Sequence, residues 1–504
     1  MGPPSSIDVA ERLRRLRNYT KAWRGMAFSP SEEGIPFDGR YWELYGGVLA
    51  TSVGDSTLIF NKLPSHARGI KSRQWRIEDV GFPIRDFKMD LSQDLLVILD
   101  FPEQVSSRGG GSCAIHLRTL SMNEPHSSAA DTIIAVPVRS PYDPDYAFDI
   151  MICEDKVGIM FTHDPEDAPE DIDIFVYNWK IASLAIHIHG CNKPINTFTF
   201  LSPQHILLGI LDPDYPRLEV YSLYQEANRD PEWTGQDYLC AFLYEKFYDY
   251  RASGSMKIQG DPAPSWAPLD DREVPFFTAS ESRVLCVSYT IEDDNGPEFR
   301  DVVHLIPLLS LLSLLPHSAD EVGTSWLWKA WSERTTMHED MVPEPTWCCY
   351  VHGARFVYVS TSEDPIADAQ DMMPLTSFAN VIDLNPVALR REYSRRGEEG
   401  LIHRSRTLSV LFWTNREFLY TTFPLPESRA RVMISEDNLI LVKSNGRRRS
   451  PSPSTAFDAL HRSRKIVLSS GLTRCASPYL RHGHERSPSF HPMPRRVSNS
   501  LCTP

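Results

Sequence analysis

Between Tyr146 and Leu223 the chain is written almost entirely in short strands, and this stretch constrains the fold more than any other. It reads YAFDIMICEDKVGIMFTH, DIDIFVYNWKIASLAIHIHG, INTFTFLSPQHILLGILD and RLEVYSL. Asp173 to Tyr177 reads as a half-buried strand. Ile206, Leu207, Leu208, Ile210 and Leu211 form a nearly unbroken apolar run, which marks a strand buried on both faces. The breaks at Glu154-Asp155, Asn178-Trp179-Lys180, Ser202-Pro203 and Asp212-Pro213-Asp214 carry turn chemistry. A meander of this kind leaves hydrogen-bonding edges bare, so it must close on itself or repeat radially.

Taken in order, residues 7–25 place Val9, Leu13, Leu16, Tyr19 and Trp23 at three- and four-residue steps, with arginines on the other faces. That is an amphipathic helix docked on a main body, with Ser6 or Asp8 to cap it. From Trp42 the helical period vanishes. Strand groups follow at 44–62 with 74–77, at 84–120, at 146–188, at 195–223, and at 238–307, the last including Val274–Ala279. Leu308–Leu315 reads as a short helix. Strands resume at Thr346–Val351, Arg355–Thr361, Leu408–Trp413, Arg431–Ser435 and Asn438–Lys443. Groups recur roughly every 40–60 residues, the spacing of propeller blades with insertions. No Gly-His…Trp-Asp signature marks them. The expectation is therefore a mainly β chain: an irregular six- or seven-bladed β-propeller, WD40-like with degenerate repeats, over residues 27–445. Residues 1–26 are the lead and linker helix. Closure requires the strands of Arg431–Lys443 to pair with an N-terminal strand, because pairing removes both edges.

Charge divides the chain. The net charge of −14 combines a basic end with an acidic body. Residues 446–504 hold eleven Lys/Arg against Asp458 and Glu485, leaving 41 basic and 64 acidic residues elsewhere. An acidic body disfavours a nucleic-acid groove, which needs clustered cations. The basic end is rich in Ser, Arg and Pro and, apart from Lys465–Leu468, has little apolar surface to bury, so it reads as a disordered tail. Within it, Arg447-Arg448-Arg449 precede Ser450 and Ser452, each followed by proline, and Arg495-Arg496 precede Ser498. These serines are candidate phosphosites, since each phosphate would add about −1.5 to −2 charges beside the cations. The arginine runs also suit a nuclear-import signal or weak nucleic-acid contacts.

The nine cysteines have irregular spacing and no secretory leader accompanies them, which points to reduced thiols packed in or beside strands. Leu305–Leu315, the longest apolar run, is about half the ~20 residues of a bilayer span. A cytoplasmic or nuclear protein without membrane attachment is expected.

Chemistry-bearing residues are sparse. His163, His187, His189 and Cys191 suggest a zinc site, because His187 and His189 sit two apart and share one face of a strand. No Cys-x-x-Cys or second His pair completes the set, so one face of a blade is the simpler reading and no metal is assigned. The acidic run Asp164–Asp171 lacks the glycine and register of a calcium loop. Gly109-Gly110-Gly111 lacks the Gly-Lys-Ser/Thr of a phosphate cradle, and no Gly-x-Ser-x-Gly elbow occurs. Neither a catalytic residue nor a cofactor is assigned. Trp326, Trp328 and Trp331 have two readings: core filling, or a partner-binding hot spot on a propeller rim, with burial to decide.

Six stretches, in order, resemble one family: GPPSSIDVAERLRRLRNYTKAW, FPIRDFKMDLSQDLLVILD, DIFVYNWKIASLAIHI with TFTFLSPQHILLGI, HGARFVYVS and RVMISEDNLILV. Together they are similar to the post-F-box region of fungal F-box domain-containing proteins, over roughly residues 1–445. The resemblance implies an N-terminal F-box recruiting the Skp1 subunit of a cullin ubiquitin ligase, and a propeller-like region presenting substrate. The sequence starts at the linker helix, and no Leu-Pro-x-Glu segment stands before it, so Skp1 recruitment has no F-box here to rest on. The functional expectation is a non-enzymatic scaffold for a protein partner, in the form of a ubiquitin-ligase substrate receptor. The rival is a hydrolase or lyase with its site at the mouth of the propeller channel. Convergent His, Asp, Glu or Arg in that channel would favour the rival.

Overall fold

The structure is a computed structural model. It describes residues 7–25, 28–36, 39–100, 111–138, 147–162, 172–189, 193–223, 232–233, 238–246, 250–268, 274–293, 296, 299–317, 322–339, 349–362, 376–396, 402–404, 417–425, 431–444 and 464–471. These residues build seven sheets of four or five strands. Blade 1 holds Trp42–Tyr45, Val48–Val53, Thr57–Lys62 and Arg73–Ile77. Blade 2 holds Asp86–Asp90, Leu95–Asp100, Gly111–Thr119 and Ile133–Val138. Blade 3 runs Ala147–Cys153, Lys156–Thr162, Asp173–Asn178 and Ser183–His189, with Glu232–Trp233 added in parallel at its edge. Blade 4 runs Ile195–Ser202, His205–Ile210, Arg217–Ser222 and Cys240–Leu243, with Thr324–Trp326 outermost. Blade 5 is Tyr250–Gln259, Val284–Asp293, Phe299–Pro307 and Thr336–Glu339. Blade 6 is Val351–His352, Arg355–Ser362, Thr376–Asp383, Glu417–Pro424 and Ile402–Arg404. Blade 7 is Arg431–Ile434, Asn438–Ser444, Arg464–Gly471 and Phe28–Pro36.

The first strand of each blade lies innermost, and from blade 1 to blade 5 each inner strand packs beside the next. Apolar clusters fill the gaps between blades. Tyr45, Phe60, Phe87 and Ile98 join blades 1 and 2, and Val97, Ile115, Ile159 and Phe175 join blades 2 and 3. Ile174, Ile188, Phe198 and Leu208 join blades 3 and 4. Leu44 and Leu49 meet Met433, Ile440 and Cys349 where blade 7 returns to blade 1. The ring is thus closed, and the expected propeller is a seven-bladed one.

Closure departs from the expectation in one respect. Arg431–Ile434 and Asn438–Ser444 do not pair directly with an N-terminal strand. Arg464–Gly471, from the segment read as tail, pairs with both Asn438–Ser444 and Phe28–Pro36. The apolar Lys465–Leu468 therefore belongs to the fold, and residue 446 is not its boundary. Phe28–Pro36 escapes strand reading because it holds two prolines and a glycine. An edge strand tolerates them, since one side of its backbone needs no ladder partner, and the register slips between Pro30 and Gly34.

Other differences are local. Leu44–Thr51 is two strands, because Gly46 and Gly47 both adopt positive φ and turn the chain. Val274–Ala279, expected as a strand, is irregular and joins no sheet. Helix Pro386–Arg396 had no counterpart in the sequence reading. Leu408–Trp413 and 346–348 lie outside the described residues. The N-terminal helix spans Val9–Gly25, and Asp8 Oδ2 accepts a hydrogen bond from Ala10 N as its cap. Its Tyr19, Ala22 and Trp23 are buried, whereas Val9, Leu13 and Leu16 are exposed, so only the second half of the apolar stripe docks.

Candidate functional site

The channel lined by the inner strands is where a propeller enzyme would work, so its contents matter first. Between the first two strands of blade 5 the chain leaves the ring, and residues 260–268 and 274–283 cross one channel mouth. Ala263 N donates to Tyr45 Oη of blade 1 (3.1 Å), and Trp266 packs edge-on against the same tyrosine. Cys153 Sγ of blade 3 reaches Pro264 O at 3.7 Å. Gly353 N of blade 6 donates to Asp261 O at 2.6 Å. Thr278 N and Oγ1 donate to Glu436 Oε1 of blade 7 at 2.6 and 3.1 Å. Arg283 is buried at the end of the segment, donating to Pro262 O (2.9 Å) and to Phe200 O of blade 4 (3.0 Å). Burial lowers its pKa to about 10. The segment is a plug tied to five blades.

Charged groups do converge inside. Lys88 Nζ lies 2.9 Å from Glu43 Oε1. Burial pushes Asp86 and Asp261 up to about 7 and raises Asp149 as well. Around Asp261 and the Glu43–Lys88 pair there is little space. The cavity holding Glu43, Lys88, Thr199, Asp261 and Arg283 measures about 40 Å³, and its neighbour beneath Pro262 about 10 Å³. Ligand pockets run to about 300–1,000 Å³. These two hold water-sized contents.

The N-terminal helix sits on the plug. Arg12 Nε donates to Pro275 O (2.9 Å), and Tyr19 packs on Phe276 with ring centroids 5.3 Å apart. Tyr19 Oη donates to Glu436 O (2.7 Å) and accepts from Arg355 Nη1 (2.9 Å), whose guanidinium lies 4.4 Å above the Trp23 ring. Beside this joint, Arg68 of blade 1 is buried against Glu436 and Asp437 of blade 7: Nη1 is 2.8 Å from Glu436 Oε2 and Nε donates to Asp437 Oδ1 at 2.8 Å. Two concavities open on this face. One of about 460 Å³ lies between the helix, the plug and Pro386–Arg396, lined by Trp23, Thr278, Arg355 and Glu392. The other, about 430 Å³, is lined by Asp90, Gln93, Asp155, Lys180 and Trp266.

Burial decides the tryptophans. Trp328 and Trp331 are 5% and 2% exposed, within the core shared by blades 4 and 5. They pack at 5.0 Å between centroids, with Tyr244 and His304 in the same cluster. Trp331 Nε1 donates to Leu243 O at 3.1 Å. Burial lowers His304 to about 3. Trp326 is half-buried at the edge of that core. For Trp328 and Trp331 the partner-binding reading gives way to core filling, because rings buried this deeply have no face left for a partner; Trp326 packs half-buried against the same core.

The histidine pair acquires a companion that the sequence reading missed. His187 and His189 do share a face, and Asp173, from the adjacent strand, joins them, with Oδ1 2.9 Å from His187 Nε2 and from His189 Nδ1. The cross-strand register (Asp173 opposite His189, Phe175 opposite His187) creates this, and spacing within one strand could not reveal it. His163, Cys191, Asp164–Asp171, Gly109, Gly110, Ser450, Ser452 and Ser498 lie outside the described residues. The described free thiols Cys113, Cys153, Cys240, Cys286 and Cys349 are all buried, as packed cysteines are.

Among the described residues no helix is long and apolar enough to cross a membrane. No family model and no curated protein matches the chain. Among solved structures, the chain is similar to the WD40 domain of SCAP from fission yeast, at 9% identity and a TM-score of 0.31, covering 84% of this chain and 82% of that one. It is also similar to Hsv2 of Kluyveromyces lactis, at 7% identity and a TM-score of 0.28, covering 77% of this chain and 99% of the other. Likenesses this loose carry no argument about function, and the propeller assignment stands on the ring of sheets itself.

Proposed function

We propose that this chain is a non-enzymatic scaffold that binds a protein partner on the plugged face of its propeller. The observation that carries the reading is the plug: it covers one channel mouth, and the cavity directly beneath it, lined by Glu43, Lys88, Asp261 and Arg283, measures about 40 Å³. Asp261, raised by burial, is the kind of group an acid–base site would need, yet the cavity it lines is far below ligand size. The plugged face, by contrast, offers two concavities and the exposed Val9, Leu13 and Leu16 of the N-terminal helix. Exposed apolar residues beside concave surface are what a partner can desolvate. The body's excess of acidic residues favours a partner with a basic surface. Within this reading, the resemblance to F-box proteins makes a substrate receptor of a cullin ubiquitin ligase the specific form, acting in the cytoplasm or nucleus.

Affinity purification of the full chain with mass spectrometry tests it. A stable partner should be recovered with the wild type, retained by Asp86→Asn, and lost by the triple change Val9→Asp, Leu13→Asp, Leu16→Asp. Skp1 and a cullin among the partners would support the ligase form. Loss of the same partners in Asp86→Asn but not in the triple variant would move the functional site into the channel.

A further inference from the structure

We infer that Asp173, His187 and His189 form a binding site for a divalent transition-metal ion of the zinc type. The site lies in blade 3, at the end opposite the plug. Asp173 begins one strand and His189 ends its neighbour, and the two stand directly opposite in the ladder. One carboxylate oxygen, one Nε2 and one Nδ1 converge with every pair of ligand atoms within 4.8 Å. Donors bound about 2.0–2.1 Å from a tetrahedral zinc ion stand roughly 3.3 Å apart. The two 2.9 Å separations from Asp173 Oδ1 therefore need to open by only a few tenths of an ångström.

The set is built rather than accidental in two respects. The ladder fixes all three backbones. The His187 ring is stacked on Phe175, with centroids 4.1 Å apart and planes 11° apart, which holds its Nε2 towards the carboxylate. Two imidazoles and a carboxylate suit zinc, copper or nickel rather than calcium or magnesium. The side chain of His189 is 35% exposed, so an ion can enter from solvent and keep a coordination position for water. His187 Nε2 and His189 Nδ1 both already face Asp173 Oδ1, so an ion would sit among donor atoms that the ladder holds together.

The test is zinc titration of chelator-treated, full-length protein by calorimetry at pH 7.5, with zinc chloride alone as probe. One ion per chain should bind. His187→Gln, His189→Gln and Asp173→Asn should each lose at least about tenfold in affinity while unfolding as the metal-free wild type does. Zinc should also raise the wild-type melting temperature and leave that of the variants unchanged. Absence of saturable uptake by the wild type overturns the inference, and so does uptake that all three variants retain in full. Because the readout is metal uptake, it is independent of whether a protein partner is found.

Discussion

Blades 2 to 4 and the seam between blades 7 and 1 are held together differently. In the former, Leu95 to Leu99 and Ile206 to Leu208 are wholly buried runs that pack on the adjacent blade. Their buried charges are settled nearby: Glu219 is met by Arg217 and Lys193 at 2.8 and 2.9 Å, from within 26 residues. At the seam the decisive contacts join residues far apart in the chain. Arg68 meets Asp437 across 369 residues, Arg355 meets Tyr19 across 336, and Tyr19 meets Glu436 across 417. Closing a long loop costs entropy that grows only slowly with its length, so a few strong buried contacts can hold it. Local apolar pattern makes the blades, and contacts between distant segments, the apolar cluster of Leu44, Leu49, Met433 and Ile440 together with these polar pairs, make the ring.

The largest effect should come from cutting the seam outright. A chain ending at residue 463 lacks Arg464–Gly471, leaves Phe28–Pro36 without a partner strand and one edge of Asn438–Ser444 bare, and should lose cooperative unfolding by circular dichroism. A chain ending at 472 should keep it. Equal behaviour of the two would show that this strand does not close the ring. Next comes Arg68→Met, which strands Glu436 and Asp437 as buried anions and should cost about 3–5 kcal/mol in urea unfolding. Within the blades, Ile159→Ala empties a wholly buried site and should cost about 2–5 kcal/mol. If Arg68→Met costs less than about 1 kcal/mol, the contrast between the two regions fails.

Gly353 sharpens the comparison at the joint of plug and blade 6. Its φ is +58°, and a Cβ there would come within 2.7 Å of Thr278 Cγ2. Gly353→Ala should therefore destabilise by about 1–3 kcal/mol, measured by the same unfolding curves. The smallest effect is a pH dependence. Burial raises Asp86 from 3.8 to about 7 in the folded chain, so between those values the folded state holds more protons than the unfolded one. Stability from this group then falls as pH rises from about 4 to 7. Asp86→Asn stays neutral, so its stability relative to wild type should grow across that window and level off above it. The side chain is half-buried, which keeps the change modest. A flat difference between about pH 4 and 8 would remove Asp86 from the buried charges of the channel.

Most strands of blades 1 to 4 were legible because apolar runs report burial directly, residue by residue, whereas Ile133–Val138, Tyr250–Gln259 and Thr336–Glu339 were not read as strands. The helix start, given as Ser6 or Asp8, was legible for the same local reason, and Asp8 is the cap. The candidate sites were less so. Trp326, Trp328 and Trp331 announce an aromatic cluster, but composition does not say which side of it faces water. His187 and His189 announce a shared face, but Asp173 reaches them only through the register of a neighbouring strand.

What the amino-acid sequence determined by itself was the repeating β meander, its period and its need to hide its edges. Those follow from side-chain polarity at spacings of two residues and from turn-forming residues between the runs. Only the tertiary structure decided that Arg464–Gly471 closes the ring, that residues 260–268 and 274–283 plug the channel, and that Arg68 faces Glu436 and Asp437. Each of these joins segments that lie far apart in the chain. No local pattern encodes such a pairing, because its energy exists only once both partners are buried together.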